Sequence, residues 1–180
     1  MVKGILKTIE GNVLNPQLTH ENEIVVIPHV CNAQGKMGAG VALGIRKKWP
    51  VAFTTYSEVI DRYKFHYTPS REVEKNQALL GKNDIAPVEE NIIIVNMIAQ
   101  DGFISPSNPK PIKYMALIEC MQEIANCILN SDKNKTHKYV IHAPKFGSLR
   151  SGGNFDFVLD LIKEIWLDNG IDVVIYEYKE

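Results

Sequence analysis

Residues 24–41 read IVVIPHVCNAQGKMGAGV, and this stretch decides the fold. Its first eight residues are mostly β-branched and apolar on both faces, which predicts a buried central strand, although Pro28 is unusual in such a strand. The loop that follows contains Gly35, Gly38 and Gly40 and leads into a short helix. A buried strand, a glycine-bearing loop and a helix in this order are typical of an open α/β sheet, where ligands bind at the carboxyl ends of the strands.

Strand and helix patterns alternate along the rest of the 180 residues. Apolar alternation or apolar runs predict further strands at residues 4–10, 78–86, 91–98, 138–143 and 171–176. Helical spacing of apolar residues predicts helices at residues 41–48, 51–63, 112–129 and 155–168. Residues 64–76, 100–111 and 131–137 are predicted to be irregular. This order predicts a central, largely parallel sheet with helices on both faces, and the length predicts a single domain over residues 1–180.

The longest predicted helix has one apolar face, which we expect to be buried. Its members are Leu117, Cys120, Met121, Ile124 and Ile128. On this interpretation Cys120 and Cys127 are small core residues and not metal ligands.

Composition and charge narrow the class of function. Twenty basic and 21 acidic residues leave a net charge of −1, so no overall field attracts nucleic acid or an anionic membrane. Three cysteines without paired spacing argue against a disulfide framework and a zinc site, and we expect neither a metal nor a cofactor. The chain shows no signal-peptide pattern and no apolar run of membrane-spanning length, which predicts a cytoplasmic protein, or one in the host cytoplasm if it is viral.

Two glycine-bearing loops form the predicted ligand site. In the first, the bare N–H groups of the helix start near Gly40 and Val41 suit an anion, although a tight structural turn explains the same glycines. The loop matches neither a Walker motif nor a strict dinucleotide fingerprint. The second loop, residues 145–153, also connects a strand to a helix and contains Arg150. Two such loops side by side would bind a diphosphate with a sugar on either side.

The stretch HVCNAQGKMGAGVA at residues 29–42 resembles the ligand loop of macro domains. It is most similar to the branch that contains ADP-ribose 1''-phosphate phosphatases and the terminal ADP-ribose glycohydrolases. Further family-like motifs follow in the family's order, namely EGNVL at 10–14, IRKKWP at 45–50, PKFGS at 144–148 and GGNF at 152–155. The resemblance implies a three-layer α/β/α macro domain fold with a central mixed, largely parallel sheet.

The resemblance also implies which residues bind ADP-ribose. Asn12 and Val13 would lie near the adenine, and Asn32 would hydrogen-bond the distal ribose. Tyr176 would border the adenine or, on the simpler interpretation, is a tyrosine at the edge of the core. The remaining implied ligand contacts are Gly35, Met37, Gly38, Ala39, Gly40, Val41, Gly147, Ser148, Leu149 and Arg150.

The chain departs from the family in both site regions. Asn12 stands where many macro domains have aspartate. Leu149 and Arg150 stand where the second loop usually has more glycine. Some hydrolases of this branch have an aspartate in that loop, where this chain has Ser151 and Asn154. A general base or nucleophile of that kind is therefore missing from the second loop.

Hydrolysis needs a positioned water and a proton acceptor. His29 ends the buried strand just before the first loop, so it is the predicted catalytic residue, and a hydrogen-bonded strand-end histidine is the alternative. His142 and Asp101 are further candidates.

The leading hypothesis for the activity is hydrolysis of ADP-ribose 1''-phosphate to ADP-ribose and phosphate. The alternatives are an ADP-ribosyl hydrolase that acts on ADP-ribosylated macromolecules, a non-catalytic ADP-ribose reader, and a nucleotide-binding α/β protein unrelated to ADP-ribose.

Overall fold

A six-stranded sheet forms the centre of the molecule. The structure is a computed structural model that describes residues 2–67, 69–131 and 136–178. The strands are β1 (Leu6–Glu10), β2 (Glu23–Asn32), β3 (Asn83–Glu89), β4 (Ile92–Gln100), β5 (Lys138–Pro144) and β6 (Asp172–Glu177). The helices are α1 (Gly40–Lys48), α2 (Pro50–His66), α3 (Glu72–Leu79), α4 (Tyr114–Ser131) and α5 (Phe155–Ile165).

The strand order is β1-β6-β5-β2-β4-β3, and every neighbouring pair is parallel except β3 and β4. The sheet is therefore mixed and largely parallel, as the sequence predicts. Because β5, β2 and β4 are neighbours and run in one direction, the loops that leave their carboxyl ends lie side by side.

Helices cover both faces of the sheet, which confirms the predicted three-layer arrangement. Side chains alternate along β2, so that Val26 packs with α4 and α5 while Val25 and Ile27 pack on the opposite face. That opposite face also receives the apolar side chains of α1 and α2, such as Ile45 and Tyr56. Within the described residues, no helix has the length and apolar character needed to cross a membrane.

Pro28 lies inside the central strand without breaking the sheet. It is in register with Val95 of β4, whereas the pairing of β2 with β5 covers only Glu23–Val26. Strands β2 and β5 therefore separate towards their carboxyl ends, whereas β2 and β4 stay paired.

The largest difference from the predicted elements lies before β3. The predicted irregular segment 64–76 and strand 78–86 are wrong in part, because α3 occupies Glu72–Leu79 and β3 begins at Asn83. Leu79 is fully buried beside Tyr56 and Ile60, so tertiary packing stabilises a helix whose own apolar pattern is weak. In the predicted link 131–137, residues 132–135 lie outside the described part of the chain.

Helix α4 has the buried face that its spacing predicts, with one correction. Leu117, Cys120 and Ile124 are buried, but Cys127 is exposed. Near the end of the helix, Ala125 and Ile128 are the buried residues, and Cys127 lies on the solvent side.

Candidate functional site

A cleft of about 460 Å³ lies at the carboxyl ends of β2, β5 and β4. Its volume is within the range of small-molecule sites. The first loop and the start of α1 contribute Lys36, Ala39, Gly40, Val41 and Ala42. Residues 144–151 form the facing wall, the loop after β4 adds Gln100, Phe103 and Ile104, and β2 supplies His29, Val30 and Asn32.

The structure brings part of the predicted site together. The predicted residues that line the cleft are His29, Asn32, Ala39, Gly40, Val41, Gly147, Ser148, Leu149 and Arg150. The predicted residues that do not line it are Asn12, Val13, Gly35, Met37, Gly38 and Tyr176.

Two of the predicted residues outside the cleft wall have core side chains. Val13 is buried in the cluster that contains Trp49, and Met37 is buried beside Tyr56. Only the main chain of these two residues is left for a ligand.

The other predicted residues outside the cleft wall lie in turns or on the sheet. Asn12 accepts the N–H of Leu14 through its side-chain oxygen at 2.9 Å. Gly35 has a φ of +77° and donates its N–H to the carbonyl of Asn32, as in a tight turn. Gly38 has no neighbouring atom within 4 Å of the position of a Cβ. Tyr176 is 3% exposed, and its hydroxyl is hydrogen-bonded inside the fold.

The first turn of α1 is open to a ligand. Its N-cap residue is Ala39, which has no side-chain acceptor, and the first turn contains no acidic residue. The orphan N–H groups of this turn therefore have no side-chain cap, and a helix start of this kind favours an anion. The two loops also meet here, since Cδ and Nε of Arg150 lie 3.3 Å from the position that a Cβ of Gly40 would take.

The second loop contains a strained residue. Leu149 has a φ of +40°, in the left-handed region, and it begins a short 3₁₀ turn at Leu149–Ser151. A residue with a Cβ costs about 1–2 kcal/mol there, and the Leu149 side chain is 86% exposed, so burial does not repay this cost. Backbone strain of this kind is frequent at ligand sites.

A buried chain of hydrogen bonds joins the loops. Asn32 accepts the N–H of Gly102 at 3.1 Å and donates to its carbonyl at 2.9 Å. Gln100 donates to the same carbonyl and accepts the hydroxyl of Ser151, both at 2.8 Å. The oxygen of Asn32 also accepts the N–H of Gln34. Among the described residues, Nδ2 of Asn32 donates one of its two hydrogens, to Gly102, so the other is left for a ligand.

His29 has its ring in a buried polar network. The ring is joined to Oδ1 of Asn96 through Nε2 at 2.5 Å. Asn96 donates its amide hydrogens to Asp84 and to the carbonyl of Ala52, so its oxygen is the acceptor and Nε2 of His29 bears the proton. Burial lowers the pKa of His29 to about 4 although the bond to Asn96 opposes this shift. The ring is therefore neutral at pH 7, with Nδ1 unprotonated.

The other catalytic candidates lie away from the cleft wall. His142 is completely buried, joined to Glu23 through Nε2 and to the Tyr176 hydroxyl through Nδ1. Burial lowers its pKa, and Glu23 opposes the shift. Asp101 accepts the amide of Asn76 at 3.0 Å. Among the described residues that line the cleft, His29 is the one that titrates near neutral pH in its unperturbed state.

The charged side chains of the cleft are all basic. They are Lys36, Lys145 and Arg150, and no aspartate or glutamate lines the cleft in the described part of the chain. Lys145 is paired with Glu177 at 2.5 Å, whereas the ammonium group of Lys36 lies 5.6 Å from the ring centre of Phe103. A chain with a net charge of −1 thus has a locally cationic cleft.

Several cleft residues were not predicted. Phe103 and Ile104 are adjacent apolar residues in a polar loop, which is a signal that the sequence does contain. Gln100 and Lys36 carry no comparable signal, because the contact of Gln100 with Ser151 and that of Lys36 with Phe103 depend on β4 being the neighbour of β2.

Comparison with known sequences relates the chain to two fungal proteins. No family model matches it. The two relatives, from Neosartorya fischeri and Aspergillus fumigatus, are each named ADP-ribose 1''-phosphate phosphatase and are 26% identical over 97 residues. The match covers 52% of this chain and 46% of each relative, so the chain spans about half the length of the curated relatives it matches.

Solved structures match over nearly the whole chain. A Bacteroides thetaiotaomicron protein of unknown function is 26% identical with a TM-score of 0.76, covering 96% of this chain and 98% of its own. A Streptomyces coelicolor macrodomain protein is 22% identical with a TM-score of 0.69, covering 97% and 99%. Thermosipho africanus DarTG, solved in complex with ADP-ribose, is 14% identical with a TM-score of 0.58, covering 86% and 38%.

Proposed function

Because the chain has the macrodomain fold, we propose that it binds ADP-ribose or an ADP-ribose derivative in the cleft between its two glycine-bearing loops. One observation carries this proposal. The uncapped first turn of α1 faces the second loop across a cleft whose charged side chains are all basic. A pyrophosphate has the charge and the acceptor oxygens that such a site requires.

The sheet order gives the bound molecule a direction. The diphosphate would lie between the first turn of α1 and residues 147–150, with the adenine towards β6 and β1, where Asn12 and Tyr176 lie. The distal ribose would then point towards β4, within reach of the free amide hydrogen of Asn32.

The activity that we propose is hydrolysis of ADP-ribose 1''-phosphate to ADP-ribose and phosphate. The names of the two fungal relatives support it, and so does a cationic cleft, because this substrate has one phosphate more than ADP-ribose. In this proposal a water attacks the phosphorus and gives a proton to His29, the bond from phosphorus to the ribose oxygen breaks, and that oxygen takes up a proton from solvent as it leaves. Unprotonated Nδ1 of His29 is the proton acceptor, while Asn96 fixes the tautomer.

A non-catalytic ADP-ribose reader is the second candidate. The low pKa of His29 makes it a weak base, and no carboxylate among the described residues lines the cleft to replace it. An ADP-ribosyl hydrolase that acts on modified macromolecules is the third. Phosphate release from ADP-ribose 1''-phosphate, and ADP-ribose release from ADP-ribosylated protein, distinguish the three.

Calorimetry tests the binding itself. We expect ADP-ribose to bind at least about tenfold more tightly than AMP, since one additional charge-assisted contact to the second phosphate is worth about 1.4 kcal/mol. NAD serves as the control for a ligand with the same diphosphate and a blocked distal ribose. Equal affinity for AMP and ADP-ribose would contradict the proposed use of both loops.

Replacing His29 with alanine tests the catalytic role. We expect turnover of ADP-ribose 1''-phosphate to fall by about 100-fold, while the Kd for ADP-ribose changes by less than about threefold. Because His29 is buried, circular dichroism of the variant must first show a folded protein at the assay temperature. The exposed His137 provides the matched control, His137→Ala. Unchanged turnover in the His29 variant would remove this residue from the mechanism.

A further inference from the structure

We propose that Lys36 determines specificity at the distal end of the cleft, where its ammonium group recognises a negative charge attached to the distal ribose. This inference rests on the proposed binding of ADP-ribose and deepens it. It makes the preferred ligands those that end in a phosphate, in preference to ADP-ribose with a free or uncharged terminus.

The position of Lys36 follows from the strand order. The second loop leaves β5 on one side of β2, and the loop with Phe103 and Ile104 leaves β4 on the other side. Lys36 lies in the first loop and contacts the Phe103 ring from above, at 5.6 Å from its centre. A diphosphate between the first and second loops therefore has Lys36 on its β4 side, away from the adenine end.

The charge of Lys36 is available to a ligand. Among the described residues, no carboxylate lies within ion-pair distance of its ammonium group. Lys145, by contrast, is paired with Glu177. Phe103 restricts Lys36 through a cation–π contact that leaves the N–H groups free to donate.

The other cations of the cleft serve a different part of the ligand. Arg150 packs against Gly40, at the start of α1, and Lys145 belongs to the second loop. Both lie where the diphosphate is proposed to bind, and every ADP-ribose derivative has this diphosphate. We therefore expect a preference for a terminal phosphate to come from Lys36.

Competition against a fluorescent ADP-ribose probe tests the inference. The competitors are ADP-ribose and ADP-ribose 1''-phosphate, and affinity is determined before measurable phosphate is released. We expect the wild-type protein to bind the 1''-phosphate about tenfold more tightly than ADP-ribose, the effect of one charge-assisted hydrogen bond. Lys36→Met should weaken binding of the 1''-phosphate more than binding of ADP-ribose, which reduces this ratio to within about twofold, and Lys36→Arg should retain the ratio because it keeps the charge. The ratio should also fall as salt is raised.

The exposed Lys47, which does not line the cleft, provides the charge-matched control Lys47→Met. A wild-type protein that binds ADP-ribose without preferring the 1''-phosphate would overturn the inference and leave the proposed function intact. Equal losses for both ligands in Lys36→Met would overturn it too, because Lys36 would then bind the shared diphosphate. Binding of neither ligand would overturn the inference and the proposed function together.

Discussion

Replacing Glu23 with alanine is expected to lower the free energy of unfolding by about 3–5 kcal/mol, because each buried donor left without its acceptor costs about 1–3 kcal/mol. The carboxylate has no exposed area and lies 2.5 Å from Nε2 of His142. It also accepts the N–H groups of Thr19 and His20 and the hydroxyl of Thr19. Burial raises the pKa of Glu23, but the Thr19 bonds and His142 bring it below its usual value, so the group is ionised at neutral pH. Without it, the buried ring of His142 and the partly buried donors of Thr19 and His20 lose their acceptor.

Loss of Glu23 should affect ligand binding as well as stability. His142 is also joined to the Tyr176 hydroxyl, which accepts the N–H of Gln17. The network therefore attaches residues 17–20 to the sheet, next to the segment that contains Asn12 and Val13. Loss of Glu23 should weaken any contact that this segment makes with an adenine.

Urea unfolding measures the decrease in the free energy of unfolding. Glu23→Gln should show a smaller decrease than Glu23→Ala, because an amide oxygen still accepts hydrogen bonds. Glu21→Ala is the matched control, since Glu21 is exposed and should change stability by less than about 0.5 kcal/mol. A loss below about 1 kcal/mol in Glu23→Ala would mean that water reaches the pair and that it is not truly buried.

Replacing Gly153 with alanine is expected to disrupt the second loop. A Cβ at Gly153 would overlap the carbonyl oxygen of Gly147 and lie 3.1 Å from the hydroxyl of Tyr114. Because the overlap is with backbone, the loop must move, at a cost of about 2 kcal/mol or more. Gly147 lines the cleft, so we expect ADP-ribose affinity to fall by about tenfold or more, the equivalent of one lost main-chain contact.

Thermal unfolding and calorimetry measure the two effects on one sample. Gly38→Ala is the control for stability, because no atom lies within 4 Å of its Cβ position and its φ is not positive. We expect that control to unfold within about 0.5 kcal/mol of the wild-type protein. Full ADP-ribose affinity in Gly153→Ala would show that the second loop does not bind the ligand.

Much of the fold follows from local patterns. The apolar run of β2 needs burial on both faces, and only a layered sheet with helices on both sides provides it. Asn154 caps α5 by accepting the N–H of Asp156 at 2.8 Å, because asparagine is among the residues favoured at a helix start. Gly170 follows the next turn with a φ of +78°, which a residue with a Cβ rarely adopts. Local patterns do not predict helix α3, because Leu79 is its main apolar contact with the core and one residue gives no helical spacing.

The sequence by itself determined the two glycine-bearing loops and their place after strands, because main-chain N–H groups at a helix start need only small residues to be accessible. The tertiary structure decided the rest of the cleft. It brought Gln100 and Phe103 to the first loop through the β2–β4 pairing, and it directed the ring of His29 to Asn96. Such contacts join residues far apart in the chain, and periodicity, which reports only on near neighbours, contains no information about them.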